Sequence, residues 1–326
     1  MNDIKTKMTT IKINWTKNEI SDVYNTPLLE LIYNAATIHR QHHKAKNIKP
    51  STLISFKTGA CQEDCSYCSQ STHYKTFVDK PERMSIDEVV ASATQVKNNG
   101  VNRVCLSASW RKIPENSEFD DLITMIQKVK SLEMEVCCTL GMLTQQQAER
   151  LAQVGISSYN HNIDTSENYY EKIITTRTYK DRLRTIEILI NAGIPVCSGG
   201  IIGLGESVED RISMIHTLAT LKKHPSTVPI NSLIPIEGTP LEKNKSVSVW
   251  EIIRMIATVR ITMPATMIEL AAGRKNISDE GQSLCFMAGV NSIFVGTKLL
   301  TTPNPEVNDD TELMKILGLN LTEKLN

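Results

Sequence analysis

The stretch Ser85-Ile86-Asp87-Glu88-Val89-Val90-Ala91-Ser92-Ala93-Thr94-Gln95-Val96-Lys97-Asn98-Asn99-Gly100-Val101-Asn102-Arg103-Val104-Cys105-Leu106 contains the repeating unit of the chain. Ser85 and Glu88 have capping-box spacing, in which each side chain satisfies the other's backbone N–H at a helix start. Gly100 ends the helix, because a left-handed C′ position carries no Cβ penalty at glycine. The apolar run Val101–Leu106 then reads as a strand. Working outward, Thr144 and Gln147 repeat the capping spacing, and Gly155, Gly193 and Gly289 each close a helical stretch ahead of an apolar run. Strands are expected to begin near Thr52, Val101, Glu133, Ile156, Ile194, Val228, Ala265 and Asn291, with helices between most of them. Such alternation favours a parallel sheet, and eight units predict an α/β fold of the closed (β/α)8 TIM type. A doubly wound open sheet shares the alternation, but no glycine-rich dinucleotide fingerprint follows the first strand.

Flanking segments complete the layout. Thr26 is positioned to cap a helix with Pro27 in its first turn and Leu28, Leu31, Ile32, Ala35 and Ile38 as its apolar stripe. From Thr301 a proline-containing turn, an acidic patch and a short helix form a tail. The expected organisation is an N-terminal helical extension (1–45), a core barrel (46–275), and a final barrel unit with C-terminal tail (276–326), all in one structural domain.

The 36 basic and 36 acidic residues cancel, so no overall charge draws the chain to nucleic acid or an anionic membrane. The span Met1–Ile20 is polar and lysine-interrupted, without the apolar core of a secretory signal. It lacks arginine and carries Asp3 and Glu19, unlike a transit peptide. No apolar run approaches membrane-spanning length, and a cytoplasmic location is expected. In that setting the eight cysteines point to metal or redox chemistry rather than disulfides.

Cys61-Gln62-Glu63-Asp64-Cys65-Ser66-Tyr67-Cys68 has the spacing C-x3-C-x2-C just after the first expected strand. Thiolates are soft donors suited to iron–sulfur clusters. Three of them in one loop are able to hold three irons of a [4Fe–4S] cube, leaving the fourth iron open to an amine and a carboxylate, such as those of S-adenosylmethionine (SAM). The competing reading is zinc, which usually takes four closed ligands in a structural site, often as two spaced pairs. Tyr67, between the second and third cysteines, is placed either against a cofactor ring or in ordinary loop packing.

Three further cysteines fall on expected strands: Cys105 on the second, Cys137 on the third and Cys197 on the fifth. A barrel brings such positions to one interior, and alternation puts Arg103 on the same face as Cys105. Buried cysteine is also a common small apolar core residue, so the residues alone leave packing and a second cluster both open. Cys138, facing away from Cys137, and Cys285, on a helix, read as packing. Arg274 follows strand seven; an arginine is ordinarily cationic and a poor metal donor.

Taken together, these residues resemble the biotin synthase family of radical SAM enzymes from about Thr52 to Asn320. The similarity is carried by Cys61–Gln70, Tyr159-Asn160-His161-Asn162-Ile163-Asp164-Thr165, Ile173–Tyr179, Cys197–Glu206 and Asn291–Pro305. The resemblance implies that Cys61, Cys65 and Cys68 bind a [4Fe–4S] cluster with SAM. It implies that Cys105, Cys137, Cys197 and Arg274 bind an auxiliary [2Fe–2S] cluster that donates sulfur. Tyr67, Asn162 and Asp164 are then expected near SAM, and Asn160, Asn162, Asn231, Thr301 and Thr302 near dethiobiotin. Also implied are a sulfurtransferase that converts dethiobiotin to biotin, an electron donor such as flavodoxin or ferredoxin, and a homodimer. Each polar residue has a plainer role available: asparagines stabilise βα turns, and Asp164 is able to cap a helix. Asn231 in a strand is the exception, since asparagine is disfavoured there. His161 reads as a packing residue.

Such chemistry needs no side-chain acid or base, because no protein base removes a proton from an unactivated C–H bond at a useful rate. Two other readings share part of the pattern. Another radical SAM mutase or lyase requires only the first three cysteines, and a non-enzymatic iron–sulfur or zinc protein requires no SAM cleavage.

Overall fold

The computed structural model describes residues 11–79 and 81–322. The first ten residues of the polar amino-terminal span therefore lie outside the described residues. Helices α1 (Lys17–Asn25) and α2 (Leu28–His42) lead into strand β1 (Asn47–Lys57). There follow α3 (Ile86–Asn98), β2 (Arg103–Ala108), α4 (Ser117–Lys130), β3 (Glu135–Thr139), α5 (Gln145–Val154) and β4 (Ser158–Asn160). The chain continues through α6 (Glu167–Tyr170), α7 (Tyr179–Asn191), β5 (Val196–Cys197), β6 (Gly200–Ile202), α8 (Val208–Ala219) and β7 (Thr227–Ser232). Next come α9 (Val249–Thr262), β8 (Met267–Leu270), a 3-10 turn over Arg274–Asn276, α10 (Asp279–Met287) and β9 (Ser292–Phe294). The tail contains β10 (Lys298–Leu299), β11 (Thr302–Pro303), α11 (Val307–Leu317) and β12 (Asn320–Leu321).

The parallel strands run β1-β2-β3-β4-β5-β7-β8-β9, and β9 pairs back onto β1 from Lys49↔Ser292 to Ser51↔Phe294. The sheet is closed, as the alternation of strands and helices predicts. β5 and β6 are two pieces of one barrel position, interrupted at Ser198–Gly199, and both pair with β7. β12 adds a short parallel pairing to the start of β1 at Asn47 and Ile48.

The local signals act as expected. Ser85–Glu88 and Thr144–Gln147 form reciprocal capping boxes on α3 and α5. Gly100, Gly155, Gly193 and Gly289 all have positive φ. Boundaries differ more. β1 begins at Asn47, five residues before Thr52, and Glu133 sits in a left-handed turn (φ 59°) ahead of β3. Helix α1 is an addition: Thr16 and Glu19 form its capping box inside the span that composition marks only as polar. Thr26 does not cap α2. Its extended backbone ends α1, with its N–H bonded to Val23 O, and Pro27 stands at the start of α2 without a side-chain cap. The residue before a proline is pushed out of the helical region, which explains the break.

The main core lies between barrel and helices, and Cys138 and Cys285 are fully buried in it as packing residues. A separate small cluster of Cys105, Cys137, Ala271, Phe294 and Leu299 lies apart from that layer. It brings together side chains of β2, β3 and β9 and of the segments that follow β8 and β9.

Candidate active site

The three-cysteine loop is held from both sides. Within it, Cys61 N–H donates to Gln70 O at 2.9 Å, Thr72 N–H to Cys61 O at 2.8 Å, and Cys68 N–H to Cys65 O at 2.8 Å. Across from it, the segment between α6 and α7 provides a clamp. Asp64 Oδ1 accepts from the backbone N–H groups of Thr175 (2.9 Å) and Thr176 (3.2 Å), and Ser66 N–H donates to Ile173 O at 2.9 Å. Burial acts to raise the Asp64 carboxyl, but these bonds and the threonine hydroxyls hold it down at about 2. Glu63, buried in the same loop, accepts from Thr176 Oγ1 and lies 3.2 Å from Arg111 Nε. The Ile173–Tyr179 segment, noted in the sequence as a motif, thus shapes the cysteine loop.

Cys61, Cys65 and Cys68 line one cavity of about 320 Å³, and the same cavity is lined by Tyr67, Asn160, Asn162, Asp164, Asn231, Thr301 and Thr302. All the residues expected from sequence to lie near SAM or dethiobiotin therefore meet at one place. Burial pushes the thiols of Cys65 and Cys68 up, to about 11 and about 12. Metal binding must then displace their protons. Among the described residues no three His, Cys, Asp or Glu side chains converge to hold a single metal ion.

Several lining side chains are already engaged. Asn162 Oδ1 accepts from Gly199 N–H at 3.0 Å. Asn231 joins two strand ends, donating to Gly200 O at 3.1 Å and accepting from Ala272 N–H at 3.1 Å. Asp164 has φ 65° and makes a buried ion pair with Arg182, whose Nε donates to Tyr170 OH at 2.9 Å. Thr301 Oγ1 is 2.8 Å from Ser69 Oγ, tying the tail to the cysteine loop, and Thr302 Oγ1 donates to Leu299 O at 3.1 Å. His161 differs from its packing assignment in one respect: it is buried but also lines the cavity. Burial, with Arg182 and Arg177 nearby, holds its imidazole well below the usual histidine range, so it is neutral.

Beneath this cavity lies the second set. Cys105 and Cys137 are register partners on β2 and β3, with sulfurs 3.3 Å apart. Cys105 Sγ is 3.2 Å from Thr139 Oγ1, and Asn160 Nδ2 donates to Cys197 Sγ at 3.4 Å. Thr139 and Asn160 both line the cavity, so Cys105 and Cys197 lie directly behind its wall. The Cys105 thiol donates to Cys137, which with Arg103 beside it draws Cys137 toward thiolate. Arg103 Nη2 donates to Ser158 Oγ at 2.9 Å.

Arg274 is placed elsewhere. It is buried, but its guanidinium is committed to both oxygens of Asp310, to Gln282 Oε1 at 3.1 Å and to Phe294 O at 2.9 Å. Both terminal nitrogens are thus taken up by the ion pair and two neutral acceptors, and only the buried Nε is left without a partner. The charged groups that do act on them are Arg103 and Glu269. Glu269 escaped the sequence reading, although a carboxylate inside Met267-Ile268-Glu269-Leu270 was a usable signal: a buried charge in an apolar strand requires a partner or a metal. Arg177 and Arg182 also escaped it.

The radical SAM superfamily model matches residues 55–218, and the biotin and thiamin synthesis associated domain matches residues 229–320. Biotin synthase of Flavobacterium johnsoniae is 54% identical over 310 residues, covering 95% of this chain and 85% of that one. Biotin synthase of Cytophaga hutchinsonii is 54% identical over 312 residues, covering 96% and 93%. The chain belongs to the biotin synthase family. As a member of that radical SAM family it is an iron–sulfur and SAM protein. Solved structures share the fold at low identity. Methylornithine synthase has TM-score 0.79 at 18% identity, covering 94% of both chains. A maturase of the [FeFe]-hydrogenase has TM-score 0.82 at 18% identity, covering 95% of this chain and 72% of its own.

Proposed function

We propose that this protein is a radical SAM sulfurtransferase that converts dethiobiotin to biotin, working in the cavity between its two sets of three cysteines. The observation that carries this reading is one pocket lined by Cys61, Cys65 and Cys68, whose wall residues Thr139 and Asn160 reach Cys105 and Cys197, in a chain of the biotin synthase family. Cys61, Cys65 and Cys68 are assigned to the [4Fe–4S] cluster. Three thiols that line one pocket without converging on a single ion suit a cube, where each iron takes one thiolate. When bound, the cluster and SAM supply one-electron chemistry able to take hydrogen from unactivated carbon.

The residues of the chain bind, orient and exclude. Tyr67 and Asp164 are assigned to SAM, and Asn162 to SAM and substrate. Asp164 is aimed by its ion pair with Arg182. Asn160, Asn231, Thr301 and Thr302 are assigned to dethiobiotin. Because Asn231 and Asn162 are braced by backbone bonds, their remaining polar capacity is held in fixed directions. The barrel wall keeps water away from the reacting carbon atoms. Burial makes His161 a poor proton acceptor, which agrees with a reaction needing no general base.

Cys105, Cys137 and Cys197 are assigned to an auxiliary [2Fe–2S] cluster as sulfur donor. Thr139 and Asn160, which reach Cys105 and Cys197, line the pocket, so the three cysteines would hold that cluster just behind the pocket wall. Three finer readings rest on family membership alone: an electron donor of the flavodoxin or ferredoxin kind, a homodimer, and a cytoplasmic setting. Among the described residues no helix is long and apolar enough to cross a membrane. We take the segments 1–45, 46–275 and 276–326 to act as one domain, since β9 of the last segment closes the barrel onto β1.

The test is anaerobic reconstitution followed by reaction with SAM, a reductant and dethiobiotin, with products read by mass spectrometry. Biotin together with 5′-deoxyadenosine is the expected result. 5′-Deoxyadenosine without biotin, in protein containing both clusters, overturns the substrate and keeps the radical SAM assignment.

A further inference from the structure

We propose that Glu269 is the fourth protein donor to the auxiliary cluster, a carboxylate completing the set begun by Cys105, Cys137 and Cys197. The inference rests on the auxiliary-cluster reading above and names a ligand for it. Two irons sharing two sulfides need two protein donors each, and the cysteines provide three of the four. One iron then carries two thiolates and the other a thiolate and a carboxylate.

The position of Glu269 favours this. It stands inside β8, buried at 4% exposure, and is the register partner of Ser292 on β9. Ser292 Oγ donates to its Oε1 at 3.1 Å, which orients the carboxylate and leaves Oε2 without a hydrogen-bond donor among the described residues. Strand alternation puts it on the same face as Ala271, which packs with Cys105 and Cys137, and its charge acts on Cys197, Cys137 and Arg103. Arg103 does not neutralise it by a direct ion pair: one arm donates to Ser158 Oγ at 2.9 Å and the other lies 3.8 Å from Glu135. A buried carboxylate held by one hydroxyl is costly unless it is paired or bound to a metal.

The competing donors fail on chemistry or place. Arg103 is on the right face, but a guanidinium stays protonated and has no acceptor. Arg274 is locked to Asp310, Gln282 and the Phe294 carbonyl. Glu269 combines a carboxylate oxygen, burial and a place on the strand face that meets the thiol layer. Carboxylate is an established partner for iron in mixed-donor sites. Arg103 then serves as a countercharge beside a site that gains negative charge.

The experiment is ⁵⁷Fe Mössbauer spectroscopy of the anaerobically reconstituted full chain, with iron and sulfide counts. The wild-type [2Fe–2S] site is expected to give two unequal ferric subsites. Glu269→Cys makes all four donors thiolate, so the two subsites should converge while the [4Fe–4S] signal stays unchanged. Glu269→Gln, close in shape and therefore least disturbing to folding, should lose the auxiliary cluster to a chelator at least about tenfold faster. Unequal subsites that persist in Glu269→Cys, with chelation unchanged in Glu269→Gln, overturn the proposal. So does a spectrum altered by Arg274→Lys but by neither Glu269 variant. Wild-type protein that fills the SAM-cluster site but takes up no [2Fe–2S] cluster sinks the auxiliary-cluster reading itself, and Glu269 ligation with it.

Discussion

Gly199 is a point of close backbone approach in the barrel wall beside Cys197, and replacing it by alanine tests how far the barrel is able to yield there. The glycine lies in the interruption between β5 and β6, two residues after Cys197. An added Cβ would sit 2.0 Å from Pro229 O and 3.0 Å from Pro229 C, both backbone atoms of β7. Real Cβ atoms essentially never approach within 3.0 Å, so relief needs about 1 Å of strand movement in an interior packed at crystal density. Movement the other way is opposed by three bonds: Gly199 N–H to Asn162 Oδ1 at 3.0 Å, and Gly199 O from Ile163 N–H at 3.1 Å and Asp164 N–H at 3.3 Å. The expected cost is about 3 kcal/mol, the upper part of the usual overpacking range. A displacement of about 1 Å at Cys197 and Asp164 should also lower biotin formation about a hundredfold. The control is Gly193→Ala, where φ is +74° but nothing lies within 4 Å of the added carbon; only left-handed strain of about 1 kcal/mol is expected there. Urea unfolding of the cluster-free proteins, compared with turnover after reconstitution, separates the two. If Gly199→Ala unfolds no earlier than Gly193→Ala, the steric argument is refuted.

Asp64→Asn should loosen the cysteine loop from Thr175 and Thr176 and lower iron retention at the SAM cluster, measured as iron remaining after gel filtration; retention equal to wild type would contradict the clamp. The Asp64 carboxyl is depressed from 3.8 to about 2. Its stabilisation is therefore complete above pH 3.8 and lost as the pH falls through about 2. His39 behaves oppositely in charge. It is buried with neither ring nitrogen hydrogen-bonded, and burial, with Arg260 and His43 nearby, lowers it from 6.5 to about 3. The unfolded chain binds that proton first, so stability should fall as the pH drops below 6.5, by about 2 kcal/mol between pH 7 and pH 5. His39→Leu should flatten this slope in urea titrations; an unchanged slope would exclude His39 as its source.

Features legible in the sequence were those whose physics is local. A capping box closes within four residues, a C-terminal glycine acts at its own backbone angle, and three thiols in an eight-residue loop share one place wherever that loop goes. Eight alternating units and the missing dinucleotide fingerprint favoured the closed parallel barrel over an open sheet, the β1–β9 pairing closed it, and resemblance added the polar residues that meet in the cavity. Other features were not local. Arg274 was assigned by resemblance to the thiol layer, yet its partner is Asp310, 36 residues further on. Glu269 acts on Cys197 and Arg103 only because closing the sheet carries β8, β5 and β2 around one axis. Register also decided that Cys105 faces Cys137, and that Asn162 and Asn231 spend part of their hydrogen bonding on strand ends. The sequence by itself determined the elements, their order and the chemical kind of the donors. Only the tertiary structure decided which donors share a layer, because the height of a side chain in a closed barrel depends on strand stagger all the way round.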